Sequence, residues 1–267
     1  MQLDEVMRCT ILRTEIGSGL HGVALPGISD IDEMGVCIEP PEYVIGLNHF
    51  EQYCHRDAGK GERSAPGDLD LVIYSLRKWA SLAAGGNPTV LLLLFAPEPS
   101  VKHPLGARMQ DLAWAFAAKS AARAFHGYLK AQKDRLLGLR GGRVPRRDDA
   151  VREHGFDTKY AGHMLRLGYE GVEFLQTGRI TLPMPIDQRT HVLKVRRGEI
   201  ALNDVLTDVG LLLDELRYAE TESPLPDRPA HSAINRFLVD AYEEFWTVHG
   251  LVGVPAGPGR ADWMSDL

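Results

Sequence analysis

The residues best suited to chemistry lie in Gly17-Ser18-Gly19-Leu20-His21-Gly22 and in Ser29-Asp30-Ile31-Asp32-Glu33-Met34-Gly35. Asp30 and Asp32 are one residue apart in an apolar run. On a strand they share a face, with Ile31 on the other. Two carboxylates held so close repel unless a cation lies between them. Hard oxygen donors of this kind suit Mg²⁺, which completes its shell with water and substrate phosphates. The Gly-Ser turn offers backbone N–H groups and a hydroxyl for the phosphates of the same substrate. The spacing therefore describes a site for a metal-bound nucleotide. The plainer alternative is a solvent-facing turn or a helix cap.

Positioning such a site requires strands ending at the turn and carrying the aspartates. Residues 8–16 have the β-branched and apolar character of a first strand that stops at the Gly-Ser turn. Leu20 to Ala24 predicts a short helix stopped by Pro26-Gly27, and Asp30 to Ile38 a second strand ended by Pro40-Pro41. Residues 54–67 are polar and glycine-rich and read as a mobile loop. Leu69 to Tyr74 predicts a third strand, after which Ser75 caps a helix to about Ala84. Asn87-Pro88 opens another short helix, with Pro in its first turn. Pro97, Pro99 and Pro104 mark a boundary between a catalytic part, 1–105, and a helical part, 106–250. Helices are expected over about 106–138, 157–176, 204–220 and 231–249. In the second of these Lys159, His163, Arg166, Glu170 and Glu173 share one face. Residues 251–267 are Gly/Pro-rich and read as a frayed tail.

The chain has 267 residues, 44% hydrophobic and 25% charged, ordinary for a globular protein with room for one large or two small domains. No apolar run approaches the length of a membrane span. The start, Met1-Gln2-Leu3-Asp4-Glu5, lacks the basic and apolar regions of a signal peptide. Cys9, Cys37 and Cys54 form no Cys-x-x-Cys pair, which argues against disulfides and structural zinc. These features predict a cytoplasmic protein. A net charge of −6 disfavours indiscriminate nucleic-acid binding. Between residues 119 and 152, however, Lys119, Arg123, Lys130, Lys133, Arg135, Arg140, Arg143, Arg146, Arg147 and Arg152 outnumber Asp134, Asp148 and Asp149. That segment either meets a polyanion or is a solvated basic face.

Gly-Ser, a spacer, then Asp-x-Asp resembles the signature of the DNA polymerase beta superfamily of nucleotidyltransferases. The family's third carboxylate best matches Asp70 in Asp68-Leu69-Asp70-Leu71-Val72-Ile73-Tyr74, with Asp68 of the same parity as the alternative. The continuation through Arg77-Lys78-Trp79 and Asn87-Pro88 resembles the branch associated with RNA ligases in RNA repair operons. Lys159, His163 and Arg166 resemble that branch's Lys-x-x-x-His-x-x-Arg helix. The matches span roughly residues 10–185. The sequence departs from the branch at Gly19 and Met34, where arginine is common, and at Leu92, near a usual glutamate.

The resemblance implies an α+β fold, a small mixed-sheet catalytic domain followed by a mainly helical one, with the nucleotide between them. It implies two Mg²⁺ ions, replaceable by Mn²⁺, bridged by Asp30 and Asp32, with Asp70 ligating one and accepting the attacking hydroxyl's proton. Gly17, Ser18, His21, Lys159, His163 and Arg166 would contact the nucleotide, with Arg77 and Lys78 as further phosphate candidates. His21 either touches the nucleotide or packs, and Glu33, on the opposite strand face, reads as structural. The implied reaction moves an NMP from an NTP to a hydroxyl, foremost an RNA 3′ end held by segment 119–152. The alternatives are a small-molecule or protein acceptor, and a non-catalytic RNA- or nucleotide-binding scaffold.

Overall fold

The computed structural model describes residues 1–25, 31–58, 65, 67–139 and 148–252. In chain order the first half forms α1 (Leu3–Arg8), β1 (Thr10–Glu15), β2 (Ile31–Cys37), α2 (Pro41–Val44), β3 (Gln52–Arg56), β4 (Leu69–Ser75), α3 (Leu76–Ala84), α4 (Pro88–Leu91) and β5 (Val101–Lys102). The second half is helical: α5 (Pro104–Asp111), α6 (Ala113–Phe116), α7 (Ala122–Leu136), α8 (Asp148–His154), α9 (Thr158–Thr177), α10 (Ile186–Arg196), α11 (Leu202–Glu222) and α12 (His231–Val248). The architecture is α+β, as expected.

The five strands are ordered β3-β4-β2-β1-β5, with β2 and β4 parallel and the other neighbours antiparallel. Along β2 the first three residues are exposed or half-buried and the last four buried. The sheet therefore anchors its C-terminal half in the core and projects the aspartate-bearing end outward. The predicted caps form. The Ser75 hydroxyl accepts the Lys78 N–H at 3.2 Å, and Asn87 Oδ1 accepts the N–H of Thr89 at 3.0 Å.

One face of the sheet, through Leu12, Met34 and Val36, joins Trp79, Leu91, Phe125, Phe174 and Phe245 in the main core, so residues on both sides of position 105 share it. The opposite face packs Leu71 and Ile73 with Val6 of α1. A third cluster draws Val23 against α9, α10 and α11. The C-terminal helix closes the far end of β2. Trp246 Nε1 donates to the Glu39 carbonyl at 2.9 Å, and the Tyr242 hydroxyl accepts the Arg77 N–H at 3.1 Å. Glu39 is wholly buried beneath them, and burial pushes its carboxyl above the usual range, favouring the neutral acid.

Three expectations are corrected. Leu20 to Ala24 is a turn, not a helix: Gly22 has φ +70°, and the Val23 N–H closes back on the Ser18 carbonyl at 2.9 Å. Residues 106–138 form three helices rather than one. In the gap Ala118 is extended, and the Ala115 carbonyl and the Lys119 N–H bond to Ala230 and Pro226 instead of to helical neighbours. The region read as a loop begins with an edge strand, β3, paired to β4. Helices α1, α2, α8 and α10 and strand β5 have no counterpart among the elements expected from the sequence. Among the described residues no helix is long and apolar enough to cross a membrane. The tail expected at 251–267 lies outside the described residues from 253 onward.

Candidate active site

Asp32 and Asp70 are direct register partners on the parallel strands β2 and β4. Adjacent strands lie about 4.8 Å apart, so the two side chains leave the same face within reach of one cation. Asp68, of equal parity in the sequence, is committed elsewhere. Its carboxylate accepts the Ala65 N–H at 2.7 Å, and its carbonyl accepts the Ile31 N–H at 2.9 Å. Asp30 lies outside the described residues. Among the described residues no three His, Cys, Asp or Glu side chains gather as a metal site. The described donor set is thus two registered carboxylates, a fit for a hard divalent ion. Glu33 is on the other face, ion-paired with Arg13.

The Gly-Ser turn sits directly on Asp32. The Asp32 carbonyl accepts the Ile16 N–H at 2.9 Å, and a Cβ added at Gly17 would lie 2.8 Å from Asp32 Oδ2. Glycine there is what lets the backbone pack onto the carboxylate. A Cβ at Gly19 would meet the Glu15 carboxylate, so the arginine common in the related branch has no room while Glu15 stays in place.

The turn is held from below by the helical part. His21 is completely buried; its Nδ1 donates to the Gly17 carbonyl at 2.8 Å, and its Nε2 faces Glu170 Oε1 at 2.8 Å. Glu170, on α9, also lies 3.5 Å from Arg166 Nε. The Arg166 guanidinium donates to His163 Nδ1 at 2.9 Å. Arg196 of α10 donates to the Val23 carbonyl and fastens the end of the turn. Burial, and then the neighbouring Arg166 charge, hold His163 well below the ordinary imidazole value, so it is a neutral acceptor. Arg166 is lowered by burial, opposed by the charges of Glu170 and Asp32. That second influence places the guanidinium in the field of the candidate metal ligand.

Residues 3–240 match the RNA repair pathway DNA polymerase beta family. The chain belongs to that family. The resemblance read from the motifs is therefore borne out at the level of family and fold. The chain is also similar to an uncharacterized 38.9 kDa protein from the nrdC-mobD intergenic region of enterobacteria phage T4, at 26% identity over 151 residues. That match covers 54% of this chain and 43% of the phage protein, so the chain spans less than half the length of that relative.

In this RNA repair family member Gly17, His21, Asp32, His163 and Arg166 form one connected group, and Asp70 stands beside Asp32. Ser18 lies in the same turn. Lys159 begins α9, where Asp157 caps the helix by accepting the Lys159 N–H at 3.0 Å, and its charge acts on His163. Arg77 and Lys78 are not part of the group. They follow β4 at the end opposite Asp70, about 17 Å along the strand, where Lys78 pairs with Glu51 at 3.0 Å. Of the basic segment, residues 140–147, including Arg140, Arg143, Arg146 and Arg147, lie outside the described residues.

Two participants escaped the sequence reading. Arg56 of β3 is the register partner of Asp70 from the other side, its Nε 3.3 Å from Asp70 Oδ1. The polar sequence Gln52-Tyr53-Cys54-His55-Arg56 carries little strand signal of its own, and pairing with β4 is what makes it a strand. Glu170 belongs to a polar helix stripe that would ordinarily face water. It is instead the buried carboxylate between His21 and Arg166.

Proposed function

We propose that this protein is a nucleotidyltransferase that moves a nucleoside monophosphate from an NTP to a hydroxyl, with an RNA 3′ end as acceptor. The observation carrying the reading is the pairing of Asp32 with Asp70 beside a glycine turn whose backbone packs on Asp32. Asp32 and Asp70, with Asp30, would hold Mg²⁺ or Mn²⁺. When bound there, the metal would supply Lewis-acid stabilisation of the attacking and departing oxygens.

The protein's own residues do the rest. Asp70 accepts the proton of the attacking hydroxyl. The Gly17 backbone and the Ser18 hydroxyl hold the triphosphate. His21, buried and engaged at both ring nitrogens, keeps the Gly17 carbonyl turned inward so that the turn holds its shape. Arg166 and Lys159 supply positive charge from α9 toward the same side, and His163 fixes the Arg166 guanidinium. Catalysis here is positioning and electrostatics.

The test incubates each α-³²P-labelled NTP with Mg²⁺ and RNA, beside an Asp32→Asn/Asp70→Asn variant. Label on RNA with the intact protein alone is the expected result. An equally active double variant would overturn the assignment of these carboxylates. Label on protein instead would move the acceptor to a side chain.

A further inference from the structure

Away from the aspartates, a hollow of about 450 Å³ opens between the end of α3, the start of α7 and the start of α12. Backbone contacts fix its walls. The Lys119 N–H bonds to the Pro226 carbonyl at 2.9 Å, and Gly86, at φ +74°, lies so close to Ala121 that a Cβ would come within 2.5 Å of its Cα. The hollow is therefore preformed. Ala84, Gly85 and Pro229 give it small or apolar surface, while Ser120, Arg123, Arg228 and His231 bring polar groups.

Among the described residues the side chains of Arg123, Arg228 and His231 make no hydrogen bond or ion pair. The nearby Asp227 carboxylate is taken by Lys119, at 3.6 Å. In a chain of net charge −6, Arg123 and Arg228 line one hollow that has no acid among its lining residues, a place that favours an anion. Guanidinium forks match phosphate oxygens in geometry as well as charge. The volume falls in the range of pockets that take an organic ligand, larger than a lone phosphate needs.

Helix α7, which lines the hollow through Arg123 and Ala124, also reaches Asn87. One helical turn beyond Ala124, the exposed Tyr128 hydroxyl accepts from Asn87 Nδ2 at 2.8 Å. Tyr128 lies within electrostatic reach of Tyr74 on β4, and Tyr74 shares a strand face with Asp70. From Asp70 to Tyr74 is about 13 Å of strand, and from Tyr128 back to Arg123 about 7 Å of helix. The exposed Tyr128 ring, on the same helix as Arg123, offers a stacking face of the kind that sites for single-stranded nucleic acid use.

We propose that this hollow holds a phosphate and adjoining nucleoside of the single-stranded RNA acceptor, several nucleotides back from the 3′ end presented to Asp70. The proposal rests on the function given above, but its readout is binding rather than transfer. A fluorescein-labelled single-stranded RNA is titrated against the full chain and against Arg123→Ala/Arg228→Ala, by anisotropy at several salt concentrations. A fluorescent NTP serves as the control ligand. RNA affinity should fall several-fold in the variant. The slope of log affinity against log salt should shrink by about 0.7, the share of the one phosphate held there. NTP affinity should not change. Unchanged RNA affinity and slope would refute the pocket while leaving the transferase reading intact. Loss of NTP rather than RNA binding would assign the hollow to free nucleotide and refute it as well. RNA binding lost as predicted, with no label reaching RNA in the transfer assay, would support the pocket and refute the acceptor proposed above.

Discussion

Glu170→Gln tests whether charge holds the junction between α9 and the Gly-Ser turn. Glutamine keeps the shape, so the measured loss is that of the carboxylate. The Glu170 side chain is 4% exposed, His21 0% and Arg166 14%, and the contacts are 2.8 Å and 3.5 Å. Removing one partner from a buried charged pair costs roughly 3–5 kcal/mol. Arg166 retains some solvent and the field of Asp32, which places the expected loss near ~3 kcal/mol. For a chain of this size that is a fall in Tm of about 6–12 °C. Urea denaturation at neutral pH measures the loss, and His21→Asn completes a double-mutant cycle. The two substitutions should couple by at least ~1 kcal/mol, because both cut the same contact. KM for the NTP should rise as the turn loosens. A loss under ~1 kcal/mol, or additivity of the two changes, would refute the idea that this ionic junction shapes the turn.

Two further outcomes follow from the site. His163 is neutral when folded, its value lowered by burial and by Arg166, whereas in the unfolded chain it titrates near ~6.5. The unfolded state then binds the extra proton, so stability is complete above ~6.5 and declines as the pH drops, by at most ~1.4 kcal/mol per pH unit. His163→Gln should flatten that decline between about pH 5 and 6.5; parallel urea-midpoint curves for the two proteins would contradict it. Arg56→Gln removes a cation that competes for Asp70. Because the Arg56 side chain is 48% exposed, the gain is that of a surface pair, roughly 0.2–1 kcal/mol, or up to about fivefold tighter Mn²⁺ binding in an EPR titration. Weaker Mn²⁺ binding would show that Arg56 supports the metal site rather than competing with it.

What the sequence disclosed was local. The caps at Ser75 and Asn87, the strands around residues 10–15, 31–37 and 69–75, and the long helix at 158–177 are encoded in neighbouring residues and formed as read. What it withheld was decided between distant segments. Asp68 and Asp70 are equivalent by parity, and only the register with β2 separates them. Strand β3 has a polar, weakly alternating sequence that is ordered by the edge of β4. The helix expected over 106–138 is interrupted where its backbone bonds to the loop at 226–230. The orientation of Glu170 depends on a histidine 149 positions earlier, the difference between positions 170 and 21.

The docking of α12 bears on how the protein can be dissected. A fragment trimmed to the matched residues 3–240 would end inside that helix. It would lack Tyr242, Phe245 and Trp246, each a member of the main core, at roughly 1.5–3 kcal/mol of burial per large side chain. It would also uncover Glu39, whose carboxyl burial holds above its usual range, and so ease its ionisation at the open end of the sheet. A fragment that keeps this core therefore extends through Val248, beyond the limit that family similarity alone would draw.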